Sequence, residues 1–174
     1  MTLTLSRLKP RLTLAALALA ITSCANLVQP SSPPLKVKKT EVPALGQLTI
    51  GRLPEGSCGL LLWTRQNQQP RLVFRSVVLG QSMTVLDGIQ TPLTLQTLAG
   101  DQQFNVHLNQ TFTGEIIEGE SEDRTIKPVA VSVRGEFGQQ FTSGVYVENA
   151  LITVTGEDGW ERVTPAAGLA GCRP

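Results

Sequence analysis

From Leu45 to the last residues, apolar side chains never recur at helical spacing over a useful length; they come in short β-branched or leucine-rich runs cut by turn residues. A chain of this texture buries its apolar groups on strands, because alternation of period two places them on one face of a pleated sheet. Ten candidate strands follow in order: Leu45–Ile50, Gly59–Arg65, Arg71–Val78, Ser82–Leu86, Ile89–Leu98, Gln102–Leu108, Thr111–Ile117, Lys127–Arg134, Phe141–Thr155 and Trp160–Val163. Ten short strands with glycine-rich turns predict an all-β, antiparallel domain, either a β-barrel or a β-sandwich.

Local signals refine that expectation. Asp87-Gly88 is a two-residue hairpin turn, since both positions tolerate positive φ. Ala99-Gly100-Asp101, Gly135 to Gln140 and Glu157-Asp158-Gly159 read as further turns, and Pro165 to Gly171 as an irregular tail. Leu60-Leu61-Leu62-Trp63 is apolar without a break, which fits a strand covered on both faces. Gln102 to Leu108 alternates most cleanly, with Phe104, Val106 and Leu108 on one face and Gln103, Asn105 and His107 on the other. Within Phe141–Thr155 the alternation slips after Val147, so Glu148-Asn149 is the expected bulge.

The first 44 residues have a different composition. Arg7, Lys9 and Arg11 precede an apolar run from Leu12 to Ile21 that closes with small residues, the layout of a secretory signal. The run is shorter than the roughly 20 residues that a membrane-spanning helix needs. Ile21-Thr22-Ser23-Cys24 resembles the lipobox of bacterial lipoproteins, which implies a signal peptide over residues 1–23 and lipidation of Cys24 as the first mature residue. The resemblance also implies a permanent membrane anchor by several acyl chains, palmitate-type, since two or more chains hold stably. Ala25 stands where an aspartate would resemble an inner-membrane retention signal, so the expected address is the outer membrane, facing the periplasm, in a host with two membranes. Residues 24–44, rich in proline, serine and lysine, read as a tether, and residues 45–174 as one domain. Lys36, Lys38 and Lys39 are a solvated basic run close to that anchor.

Charge and cysteine usage narrow the function. Charged residues are 17% of the chain and the formal net charge is +1, so no single-sign field exists to gather nucleic acid. Of 3 cysteines, lipidation would occupy Cys24 and leave Cys58 and Cys172 as the one possible intrachain pair. An exported domain favours a disulfide there over two buried thiols or a metal pair, worth about 5 kcal/mol for so long a loop in the chain-entropy model.

Candidate chemistry is sparse. His107 is the only histidine, and no motif supplies it with a nucleophile or an orienting acid. Glu115, Glu118, Glu120, Glu122 and Asp123 lack the spacing of a calcium loop, and Arg124 and Lys127 are ordinary charge partners for a solvated tip. Trp63, Trp160 and Tyr146 are aromatics available to a ligand or partner face. No cofactor motif and no metal site are expected. The chain is therefore expected to be a non-enzymatic, lipid-anchored envelope protein that binds another envelope protein through loops or a sheet edge. A small barrel holding an apolar molecule is the alternative, and a hydrolase using His107 a distant one.

Overall fold

The computed structural model describes residues 41–119 and 124–174. Cys24, the three tether lysines, and Glu120, Glu122 and Asp123 lie outside the described residues. Eight strands run in chain order: β1 (Cys58–Gln66), β2 (Gln69–Val77), β3 (Ser82–Leu86), β4 (Ile89–Gln103), β5 (Val106–Glu118), β6 (Thr125–Phe141), β7 (Gly144–Thr155) and β8 (Glu161–Cys172). Each pairs antiparallel with the next, and β8 returns to β1, so the sheet closes into an up-and-down barrel. The all-β, antiparallel expectation holds; of barrel and sandwich the chain forms the barrel, with eight strands in place of ten.

The two missing strands have physical reasons. Leu45–Ile50 makes one bridge, Leu45 to Leu86, and otherwise lies as a strap along the barrel. Gln102–Leu108 is not a strand but the hairpin between β4 and β5. Its turn is Phe104-Asn105, both left-handed at φ 50 and 60, and the partly buried Phe104 packs on the core there. The chain passes straight through Ala99-Gly100-Asp101, where Gly100 at φ +76 absorbs a bulge between Ala99 and Gln102 instead of reversing direction. Asp87-Gly88 and the shift beside Glu148-Asn149 fall where expected, with Asn149 at φ 50.

Two further stretches are strand where turn or coil is expected. Gly135 to Gln140 belongs to β6, which shifts register there against β7 and turns only at Thr142-Ser143. Pro165 to Gly171 belongs to β8, paired with both β7 and β1. Small residues serve that position, because a Cβ at Gly168 would overlap the Leu61 carbonyl oxygen across the seam.

The barrel is filled. Phe74 and Phe112 meet near its middle with ring centroids 5.4 Å apart, and Leu60, Leu62, Ile116 and Ile152 pack around them, all buried. Outward positions carry Thr111, Thr113 and Glu115 on β5 and Arg134 and Glu136 on β6, all exposed. The filled, apolar interior differs from the polar lumen of membrane-spanning barrels. Among the described residues, no helix is long and apolar enough to cross a membrane.

A second apolar cluster lies outside the barrel wall. Leu48 of the strap joins Leu72 and Val85, with Leu61, Trp63 and Met83 packed against them. This explains the unbroken apolar run of β1: Leu60 and Leu62 face the core while Leu61 and Trp63 face the strap. Backbone bonds hold the strap in place, from Gly46 N–H to the Val85 carbonyl and from Leu48 N–H to the Leu72 carbonyl, each 2.8 Å. Val42 and Leu45 also pack on the core, so contact with the barrel begins ahead of Leu45.

Cys58 and Cys172 face each other as register partners on β1 and β8 and form a disulfide across a sequence separation of 114. The bond crosses the seam where the first strand meets the last. Cys58→Ser with Cys172→Ser is expected to lower stability by about 2–5 kcal/mol, read as a fall in the urea midpoint that reductant reproduces in the unaltered chain. Leu48→Ala should cost about 2–5 kcal/mol through the emptied space beneath the strap, measured in the same unfolding experiment.

Candidate functional site

A closed barrel needs neighbours of matched length, and β3 is too short for β4. β3 has 5 residues and β4 has 15. Their ladder ends at Ser82 opposite Leu93. Residues 94–103 of β4 then pair with β5 alone. Ten residues of strand thus present one open side, with unpaired backbone donors and acceptors.

The residues along this edge do little to protect it. The sequence from Thr94 to Gln103 holds one charged residue, Asp101, and neither lysine nor proline. Sheet edges in stable monomers commonly carry such residues, or bulges and very short strands, to prevent pairing with another chain. Here the bulges between Leu95 and Thr97 and between Ala99 and Gln102, with Asp101, are the protective features present.

The first bulge also sets which side chains line the opening. Leu95 pairs with Phe112 and Leu98 with Gln110, two buried residues, so both leucines lie on the core-facing side of the sheet. The wall is open at that point, and they remain 44% and 50% exposed. Across the gap, the turn between β2 and β3 holds Leu79 fully exposed in the left-handed region at φ 58. A bulky residue there is uncommon. Its exposure and its backbone are both unfavourable in the isolated chain.

Between that turn and β4 lies a crevice of about 180 Å³. Leu60, Leu93, Val106, Leu95 and Leu98 form much of its wall. Two polar features interrupt the apolar lining. The Ser82 hydroxyl donates to the Ser76 hydroxyl at 2.9 Å, a buried and satisfied pair. Gln110 is only 4% exposed; its Nε2 donates to the His107 carbonyl, while its Oε1 has no partner. On the opposite face of the sheet a wider depression of about 940 Å³ crosses β4 to β7 past Thr94, Thr113, Ala130 and Thr155. Of the open edge this depression reaches only Thr94, so the crevice is the concavity that runs beside residues 94–103.

The residues singled out from the sequence do not converge here. Trp63 is half-buried in the cluster under the strap. Trp160 is 70% exposed in the turn between β7 and β8. Tyr146 stands on the outside of β7 against Phe141, ring centroids 5.3 Å apart. His107 borders the crevice, with Nδ1 3.2 Å from the Gly100 carbonyl oxygen, a backbone partner on the neighbouring strand. Glu118 pairs with Lys127 at 2.6 Å on the surface, an ion pair worth little to stability. Among the described residues, no group of three or more histidine, cysteine or acidic side chains is placed to hold a metal ion.

Sequence reasoning missed Leu79, Leu95, Leu98 and Gln110. One signal was available: the core-facing series Val106, Leu108, Gln110, Phe112, Gly114, Ile116 carries a single polar side chain, at Gln110. The open edge also predicts unequal tolerance to substitution. Leu98→Asn should change stability by less than about 1 kcal/mol, whereas Leu108→Asn, at a fully enclosed position, should cost more than about 3 kcal/mol, both read by chemical denaturation.

No family model, no curated protein and no solved structure matches this chain, so its function is argued from the β4 edge and the crevice beside it.

Proposed function

We propose that the chain is a lipid-anchored protein of the cell envelope whose barrel binds another envelope protein by adding one of its extended segments to the open side of β4. The observation that carries this reading is the run of residues 94–103 paired on one side only, beside a barrel whose interior is already filled. Strand addition draws affinity from main-chain hydrogen bonds and specificity from pockets for alternate side chains. The β4 edge offers the first, and the crevice beside it offers the second.

The reading assigns no reaction. His107 bonds to a backbone carbonyl, and a surface of mixed, sparse charge suits a protein partner better than nucleic acid. The lipobox-like Ile21-Thr22-Ser23-Cys24 supports the anchor, and the Cys58–Cys172 disulfide fits an oxidising compartment. The tether joins the barrel where Ala44 N–H donates to Asp87 Oδ1 at 2.8 Å, beside the turn between β3 and β4. The crevice lies at the opposite end, with the turns between β2 and β3 and between β4 and β5.

A photo-crosslinking residue placed at Gln102 of the full-length chain in its native host tests this. The expected result is a single crosslinked partner, lost or reduced about tenfold when Thr97→Lys sets a charge on the edge, with no such dependence for a crosslinker at Val163 on the far wall. In the same cells, Cys24→Ser should move the protein from the membrane fraction to the soluble fraction. Crosslinking that is indifferent to Thr97→Lys contradicts the edge, and a chain that keeps its membrane attachment after Cys24→Ser contradicts the anchor.

A further inference from the structure

We infer that the crevice beside β4 receives the side chain of one tyrosine carried by the partner strand, with the phenol hydroxyl donating to Gln110 Oε1. This rests on the strand-addition reading above and names what that strand must contain.

Size is the first constraint. A dry cavity of about 150 Å³ lined by aliphatic and aromatic side chains accepts benzene. The crevice, at about 180 Å³, holds one six-membered ring with a small substituent. Serine or threonine would leave most of it empty.

Chemistry is the second. Leu93, Leu95, Leu98 and Val106 offer apolar contact, yet Gln110 Oε1 lies buried without a hydrogen-bond donor. A phenylalanine ring would leave that oxygen, already out of contact with water, still without a donor, which is unfavourable. A lysine or arginine would bring a donor with its charge, but none of the lining residues is acidic. Tyrosine alone among the side chains combines one ring with a neutral hydroxyl donor, and it is enriched where one end is apolar and the other polar. Leu79, fully exposed, lines the same crevice and is available to contact the ring.

p-Cresol, the tyrosine side chain cut at Cβ, and toluene, the same molecule without the hydroxyl, are titrated into the purified full-length chain and followed by NMR. p-Cresol is expected to bind about fivefold more tightly than toluene, with nuclear Overhauser contacts from its ring to the methyls of Leu95 and Leu98. The ratio is expected to fall to near one in Gln110→Met. Equal affinities, ring contacts elsewhere on the barrel, or no binding of either compound overturns the inference. The ring contacts in the unaltered chain decide the matter even should Gln110→Met fail to fold.

A heptapeptide of alternating threonine and valine with a central tyrosine, compared with its central-alanine counterpart, separates this inference from strand addition itself. Tighter binding of the tyrosine peptide, lost with Thr97→Lys while p-cresol binding is unchanged, supports the anchored strand. Equal binding of the two peptides overturns the tyrosine anchor and leaves strand addition standing. p-Cresol binding in the crevice with no binding of either peptide overturns the strand as occupant and makes the crevice a small-molecule pocket.

Discussion

The seam between β1 and β8 is the contact on which this barrel depends. Seven of its eight strand pairings join neighbours in sequence and can form locally, but β1 must find β8 across nearly the whole domain. Non-local closure of this kind carries the largest entropy cost in the fold. Three features of the sequence serve it. Cys58 and Cys172 lie opposite each other in the ladder and fasten it covalently. Alanine and glycine at Ala166, Ala167, Gly168, Ala170 and Gly171 keep β8 thin enough to approach β1 closely. Arg173, just past the bond, donates to the Leu53 carbonyl at 3.0 Å and ties the end of the strap to the same corner.

With the seam closed, the remaining irregularity of the barrel falls between β3 and β4. β2 and β3 share only two register pairs, and β3 stops after five residues. On the outside, the strap compensates for this weak sector: Leu48 covers Leu72 and Val85, and backbone bonds run from Leu48 to β2 and from Gly46 to β3. Nothing comparable covers residues 94–103 among the described residues. The opening is thus a consequence of one short strand beside one long one, confined to the end of the barrel away from the tether.

Much of this was legible in the sequence. The period-two alternation, the Asp87-Gly88 turn, the slip after Val147 and the pairing of Cys58 with Cys172 all have local or compositional signatures. Turn signals misled where glycine served a different need. Gly100 absorbs a bulge, and Gly168 permits close approach of two strands, so neither reverses the chain. Phe104-Asn105 gave little warning, because phenylalanine rarely takes a left-handed conformation and does so here with its ring packed on the core. The open edge was the least legible feature. It is a difference in length between two strands in register, and register is a property of the pair rather than of either segment. The aromatic residues that drew attention in the sequence, Trp63, Trp160 and Tyr146, are spread over three separate places.

Amide hydrogen exchange, read by mass spectrometry on the protein in its native envelope and again after purification in detergent, tests the central claim most directly. Strand addition predicts that peptides covering residues 94–103 gain protection in the envelope while those from β6 and β8 exchange alike in both samples. Protection that is unchanged along β4, or that appears instead on the far wall of the barrel, would contradict it.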